Sequence, residues 1–200
     1  MPLPCNSPGL VDRFCTSLER AVILRGLFQF RAALRAEGFE QGFQWIDGSF
    51  VENCEAFRGR PPGDVDIVSL LRRPPPVAQD AAWVDFATAR IGTIFNPDWT
   101  KQTFHCDSYF IDLDIDPISV AEQAAYWIGL FSHQRDTFRW KGMVRIEFSD
   151  GDDAEALALI GERKQHGDEG TPRRPQERSG FRRGSHRAGE RPRYPKPDFT

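Results

Sequence analysis

The most informative stretch of the sequence runs from Trp45 to Val68, WIDGSFVENCEAFRGRPPGDVDIV. It begins in a short apolar run that ends at Gly48, continues through a polar loop rich in glycine and proline, and enters a second apolar run. Apolar and β-branched runs bounded by glycine and proline are typical of strands. The sequence therefore predicts two strands, Phe43 to Asp47 and Asp64 to Leu71, joined by a loop.

Helical and strand patterns alternate on both sides of these strands. Apolar residues at helical spacing run from a capping box at Thr16 and Glu19 up to Gly38, and a similar pattern covers residues 78–95. The remaining predicted elements are a strand at 105–114, a helix from Pro117, a strand at 141–148, and a helix that starts at Asp152 or Asp153 and continues through Ile160. This order predicts an α/β (α+β) domain with a small mixed β-sheet flanked by helices.

Length and charge predict one domain followed by a basic tail. The chain has 200 residues, 40% of them hydrophobic and 28% charged, which is typical of a single globular domain. We expect this domain to span residues 1–160, with its core at about 38–148. Residues 161–200 carry 11 basic and 6 acidic side chains among many Gly and Pro, so we expect a disordered tail. Its arginines could bind nucleic acid or an acidic protein, although a solvated tail without a ligand is the simpler interpretation.

The sequence gives no sign of a membrane span, a secretory signal or a cysteine-based site. Its apolar runs are far shorter than the roughly 20 residues that a bilayer span needs, and the N-terminus lacks a basic start and a long apolar run. We therefore expect a cytoplasmic protein with reduced thiols. The four cysteines form no CxxC pair, which argues against a zinc site or a disulfide framework.

Two acids two positions apart, Asp64 and Asp66, are the first candidate site residues. Alternate residues of a strand point to the same face, so both carboxylates can approach one cation. Mg²⁺ is often held by one or two carboxylates together with phosphate oxygens and water. The pair predicts a site for Mg²⁺ or Mn²⁺.

Gly48 and Ser49 directly follow a predicted strand and are candidates for phosphate binding. A residue without a Cβ lets the backbone turn sharply and approach a ligand, and Ser49 offers a hydroxyl and a backbone N–H. A simpler interpretation is that these residues form only a tight turn, and that Asp64 and Asp66 are polar residues on a solvated strand edge.

Taken together, these motifs resemble the nucleotidyltransferase superfamily, whose pattern is a hydrophobic-Gly-Ser turn, a hydrophobic-flanked Asp-x-Asp and a third acid on a later strand. The resemblance rests on IDGSFV at 46–51, PGDVDIV at 62–68, DSYFI at 107–111 and KGMVRIEF at 141–148, and is closest to an uncharacterised bacterial branch of that superfamily. It implies transfer of a nucleoside monophosphate from a nucleoside triphosphate to a hydroxyl, with release of pyrophosphate. It also implies that Gly48 and Ser49 bind the triphosphate and that Asp64 and Asp66 bind metal.

The third acid is either Asp107 or Asp112. The two lie on opposite faces of the predicted strand because they are five positions apart, so only one can join the pair. We favour Asp107 because the SYFI that follows it resembles the superfamily's third strand. Its implied roles are to bind a second metal ion and to take the proton of the acceptor hydroxyl.

Other residues and other functions remain open from the sequence. Lys141 and Arg145 share one strand face and could meet phosphate, but pairing with carboxylates or solvent is the preferred interpretation. A non-enzymatic alternative is an inactive nucleotidyltransferase-fold module, antitoxin-like, that binds a protein or RNA partner through the basic tail. A metal-dependent nuclease would use the same acids but accounts less well for the Gly-Ser turn.

Overall fold

A computed structural model describes residues 2–134, 137, 139–148 and 151–167. Its five strands, within those residues, are β1 (Leu3–Cys5), β2 (Gly42–Asp47), β3 (Val65–Leu71), β4 (Cys106–Asp112) and β5 (Val144–Glu147). Its α-helices there are α1 (Ser7–Phe14), α2 (Leu18–Ala36), α3 (Cys54–Arg58), α4 (Asp80–Thr88), α5 (Pro97–Phe104), α6 (Pro117–Phe131) and α7 (Asp153–Gly167). The protein has the predicted mixed α/β architecture.

The strands form one mixed sheet in the order β1-β5-β2-β3-β4. The central strand β2 is antiparallel to both β5 and β3, whereas β4 is parallel to β3 and β1 is parallel to β5. The register pairs Asp47 with Asp66, and Asp66 with Asp107. Three acids from three neighbouring strands therefore lie in one row across the sheet.

The two faces of the sheet bury different clusters of apolar residues. One face carries Ile46, Val65 and Ile67 and packs with the long helix α2 in the larger cluster. The opposite face carries Trp45, Val68 and Ile111 and packs with Trp127 and Phe131 of α6. Alternation along the strands places Asp47, Asp66 and Asp107 on this second face, at the end of the apolar rows.

A buried polar network ties the helices to the sheet. Arg31 of α2 is completely buried and donates to Asp153 at 2.8 Å and to Gln44 at 2.8 Å. Arg35 and Ser7 also donate to Asp153, at 2.6 Å each. A buried charge is tolerated only when it is paired and hydrogen-bonded, and Asp153 satisfies that need at the start of α7.

Several element predictions are confirmed and several need correction. The strands predicted at 43–47, 64–71, 105–114 and 141–148 are present as β2 to β5. Strand β2 is one residue longer than predicted, β3 and β4 are shorter, and β5 covers only half of its predicted range; α6 starts at Pro117 as predicted. The helix predicted at 78–95 is limited to α4, and α2 is capped by Ser17, whose hydroxyl accepts from the Arg20 N–H, rather than by Thr16. The short elements β1, α1 and α3 and the helix α5 were not predicted.

The C-terminal helix extends beyond the predicted end of the domain. Helix α7 continues seven residues past Ile160, and the rest of the predicted tail, 168–200, lies outside the described residues. Among the described helices, none combines the length and the apolar character that a bilayer span demands.

Candidate functional site

Four carboxylates meet at one mouth of the sheet, and we call Asp47, Asp64, Asp66 and Asp107 the acid cluster. Asp47 ends β2, Asp64 directly precedes β3, and Asp66 and Asp107 are register partners on β3 and β4. All four line one pocket together with Gly48 and Ser49. The structure therefore brings every favoured candidate residue to a single place.

The Gly-Ser turn lies against the acid cluster. Gly48 has a φ of +84°, a left-handed conformation that L side chains rarely adopt. A Cβ at this position would lie 2.5 Å from Asp66 Oδ2, so the absence of a side chain lets the carboxylate approach the turn. Residues Gly48–Val51 then form one 3₁₀ turn that leaves Ser49 partly accessible at the pocket.

Arg20 of α2 holds the segment that follows this turn. Its guanidinium donates to the carbonyls of Phe50 and Glu52 at 2.6 Å each, and to both carboxylate oxygens of Glu55 at 2.6 and 2.9 Å. These hydrogen bonds lower the pKa of Glu55 to about 2. A planar guanidinium suits this role because its donors have a fixed geometry.

Lys101, from the unpredicted helix α5, lies within the acid cluster. Its ammonium pairs with Asp64 and lies 3.7 Å from Asp107 Oδ2. Burial opposes its charge, but the hydrogen bond to Asp64 and the neighbouring charges of Asp107 and Asp66 raise its pKa above the ordinary value. Lys101 supplies positive charge where the sequence predicted a metal ion.

A second lysine, Lys141, pairs with the buried end of the acid cluster. Its ammonium lies 2.7 Å from Asp47 Oδ2, 3.5 Å from Glu52 Oε1, and 3.4 Å from the Gly48 carbonyl oxygen. The carboxylate pairing preferred from the sequence is therefore present, and it lies in the pocket itself. Arg145, by contrast, pairs with Glu147 on its own strand.

Asp47 is the least solvated member of the acid cluster. It is 1% exposed, and burial raises its pKa to about 6 despite the Lys141 charge. Within the described residues its Oδ1 has no hydrogen-bond partner. A buried carboxylate oxygen without a donor is costly unless a cation or a proton donor is supplied.

The alternative third acid, Asp112, is remote from the acid cluster. It lies at the opposite end of β4, is 8% exposed, and accepts from Arg73 Nε at 2.7 Å. Tyr109 and Ile111 pack in the apolar cluster that contains Trp127 and Phe131 of α6, whereas Phe110 packs on the other face of the sheet. This agrees with the predicted alternation. Asp112 therefore serves in a structural ion pair, and Asp107 is the acid that lies beside Asp66.

The acid cluster does not form a ready-made metal cage. Within the part of the chain that the structure describes, no group of three or more His, Cys, Asp or Glu side chains is arranged to hold a metal ion. Mg²⁺ commonly takes only one or two protein carboxylates and fills its other positions with phosphate oxygens and water. Asp64 and Asp66 are two carboxylates of the kind that such a site uses.

Several pocket residues were not found from the sequence. These are Asp47, Glu52, Arg58, Arg60, Lys101 and His133. Asp47 had a signal, since it ends a strand on the same face as Trp45 and immediately precedes Gly48. No sequence signal marked Lys101 as a site residue, because its position depends on how α5 packs on β4.

A comparison with protein families assigns the chain to a family. The family model described as "Family of unknown function (DUF6932)" matches residues 3–147. The chain belongs to DUF6932. The match extends from β1 through β5 and so includes the whole acid cluster and the Gly-Ser turn. Searches among curated proteins and among solved structures found no match to this DUF6932 member.

Proposed function

We propose that this DUF6932 protein is a metal-dependent nucleotidyltransferase. The observation that carries the proposal is the meeting of Asp64, Asp66 and Asp107 with the Gly48–Ser49 turn in one pocket. Carboxylates on neighbouring strands can hold a divalent ion that polarises a phosphoryl oxygen, and a turn without a Cβ lets the backbone approach a phosphate. The resemblance of these motifs to nucleotidyltransferases gives the reaction class.

Each group has a defined part in the proposed reaction. Asp64 and Asp66 would hold Mg²⁺ or Mn²⁺, which neutralises charge on the triphosphate and polarises its phosphoryl oxygens. The Ser49 hydroxyl and backbone N–H donate to phosphate oxygens. Lys141 fixes the turn by its contact with the Gly48 carbonyl.

The bond changes follow from the position of Asp107. The hydroxyl oxygen of the acceptor attacks the α-phosphorus, and its proton passes to the Asp107 carboxylate. The bond between the α-phosphorus and its bridging oxygen to the β-phosphorus breaks, and pyrophosphate leaves. Arg58 and Arg60 at the rim of the pocket provide further positive charge for the leaving group.

Transfer of label tests the proposal. Full-length protein is incubated with Mg²⁺ or Mn²⁺, each α-labelled nucleoside triphosphate, and a cell extract as the source of acceptors. We expect labelled product from the wild type, and at least a hundredfold less from Asp66→Asn. Asp85→Asn changes an exposed acid on α4 and is the matched control, with wild-type transfer expected. Absence of both transfer and nucleotide binding in the wild type would overturn the proposal.

A second candidate function is favoured by one observation, the position of Lys101. Its ammonium already compensates Asp64 and Asp107, as expected of a non-enzymatic module that has lost its metal and binds a protein or RNA partner. The melting temperature separates the two functions. Mg²⁺ together with a nonhydrolysable nucleoside triphosphate raises it for the wild type but not for the Asp64→Ala/Asp66→Ala variant if the enzyme proposal holds, and for neither protein if the module proposal holds.

A further inference from the structure

Helix α5 is anchored so that Lys101 faces the acid cluster. Thr100 is fully buried and its hydroxyl lies 2.9 Å from the Ser108 hydroxyl on β4. This contact fixes α5 beside the strand that carries Asp107. The following residue, Lys101, is then close enough to pair with Asp64 and to lie 3.7 Å from Asp107 Oδ2.

The charges of the pocket depend on Lys101. The lining contains five acids, Asp47, Glu52, Asp64, Asp66 and Asp107, and four basic side chains, Arg58, Arg60, Lys101 and Lys141. Lys141 is committed to Asp47 and Glu52, and Arg58 donates to Glu52 at 3.2 Å. Lys101 is the cation that pairs with Asp64 and lies within 4 Å of Asp107.

A second observation shows that the acid cluster needs more than this lysine. Asp47 Oδ1 is buried and has no hydrogen-bond partner among the described residues, and Asp47 is one of the residues that line the same pocket. An ammonium beside Asp64 and Asp107 leaves that oxygen unsatisfied. A divalent cation with its water ligands can serve several carboxylates at once.

We propose that Lys101 is an internal cation that occupies the charge position of the divalent ion in the ligand-free protein and is displaced when the ion enters with its nucleotide. This inference rests on the proposed function, because it concerns the metal of the same site. A lysine suits the role because its ammonium is a compact point charge on a flexible stem, 42% exposed here, which can leave without disturbing the backbone.

The exchange makes the site selective for the metal–nucleotide complex over free metal. Free metal must displace the ammonium into solvent and therefore binds weakly. The triphosphate offers that ammonium new anionic partners, so metal and nucleotide bind with positive coupling. Without nucleotide, Lys101 stays paired with Asp64.

Mn²⁺ binding to the full-length protein tests the proposal. The fraction of free Mn²⁺ is measured by electron paramagnetic resonance, with and without a nonhydrolysable nucleoside triphosphate. We expect Lys101→Met to bind Mn²⁺ alone about tenfold more tightly than the wild type, and the coupling to nucleotide to fall by a similar factor. Lys101→Arg keeps the charge and is expected to retain the weak binding of the wild type.

One control variant shows whether the loss of any positive charge changes Mn²⁺ binding, and a second neutral variant stands in reserve. Arg72→Met removes one positive charge from an exposed ion pair with Asp114, at the opposite end of β3 and β4, and should leave Mn²⁺ binding unchanged. Lys101→Gln is a second neutral variant, used if Lys101→Met does not give a cooperative melting transition in chelator.

The outcomes distinguish this proposal from the proposed function. If wild type binds Mn²⁺ and the neutral variants bind it equally or less tightly, the exchange is overturned while the metal site stands. If neither the wild type nor a neutral variant binds Mn²⁺ at millimolar concentration, with or without the nucleoside triphosphate, the exchange and the metal-dependent function are both overturned. The exchange is supported if the neutral variants bind Mn²⁺ without nucleotide more tightly than the wild type does.

Discussion

At the scale of single residues, the close contact between Gly48 and Asp66 is the most restrictive feature of the site. We expect Gly48→Ala to lower the free energy of unfolding by about 2 to 4 kcal/mol, because it adds a left-handed alanine and a Cβ 2.5 Å from the Asp66 carboxylate. It should also abolish the stabilisation by Mn²⁺ and a nonhydrolysable nucleoside triphosphate added together. Urea unfolding with and without these two ligands measures both effects.

Gly59 provides the matched control for that substitution. It also has a positive φ, of +64°, but a Cβ there meets nothing within 4 Å. Gly59→Ala should therefore lose only about 1 kcal/mol, for the backbone conformation, and keep the response to Mn²⁺ and the nucleoside triphosphate. Equal effects at the two glycines would show that the contact with Asp66 is unimportant.

Asp47 gives the protein a defined pH dependence at the residue scale. Its pKa rises from 3.8 in the unfolded chain to about 6 in the fold, so between these values the native state binds more protons. The contribution of Asp47 to stability is therefore greatest below pH 3.8 and falls by roughly 3 kcal/mol as pH rises through 6. Metal-free Asp47→Asn should lack this fall between pH 4 and 6.

Chemical denaturation at several pH values in chelator tests this assignment. The difference in unfolding free energy between wild type and Asp47→Asn should change with pH in that window and level off above it. A constant difference from pH 4 to 7 would mean that another group is responsible for the pH dependence.

At the scale of elements, Arg20 joins α2 to the segment that carries the Gly-Ser turn. Arg20→Ala should lower the unfolding free energy by about 2 to 4 kcal/mol, since it leaves two carbonyls and Glu55 without their donor. Amide hydrogen exchange should quicken in residues 48–58 in particular. Arg72→Ala removes an exposed pair with Asp114 and should lose less than about 1 kcal/mol.

Elements differ in how well the sequence predicted them, for physical reasons. Helix α2 and strands β2 and β3 carry their own apolar periodicity, so the pattern alone indicates them. Strand β1 has three residues and depends on pairing with β5, more than 130 positions away in the chain, which local pattern cannot reveal. Helix α5 has a local signal in the sequence, because Asn96 caps it and Pro97 occupies its first turn.

The candidate site was predicted in part for the same reasons. Asp64, Asp66 and Gly48 have local motifs, and strand alternation separated Asp107 from Asp112. Lys101 could not be predicted, because its contact with Asp64 depends on the packing of a whole helix. The same holds for Arg31, a fully buried cation whose partner Asp153 lies far along the chain.

At the scale of the whole molecule, Asp153 links both chain ends of the described fold. It accepts from Ser7 of α1 and from Arg31 and Arg35 of α2 while it begins α7. Asp153→Ala should lower the unfolding free energy by about 3 to 5 kcal/mol, because it leaves the Arg31 charge buried and unpaired. Thermal denaturation measures this, and a loss below 1 kcal/mol would contradict the role of the network.

The central claim is that the acid cluster and the Gly-Ser turn form one site for a divalent ion and a nucleoside triphosphate. Crystals grown with Mn²⁺ and a nonhydrolysable triphosphate test it most directly, through anomalous diffraction from manganese. We expect an anomalous peak about 2.2 Å from oxygens of Asp64 and Asp66, phosphate density at Gly48 and Ser49, and the Lys101 ammonium away from Asp64. Triphosphate and manganese bound elsewhere, or not at all at saturating concentration, with Lys101 still paired to Asp64, would contradict the claim.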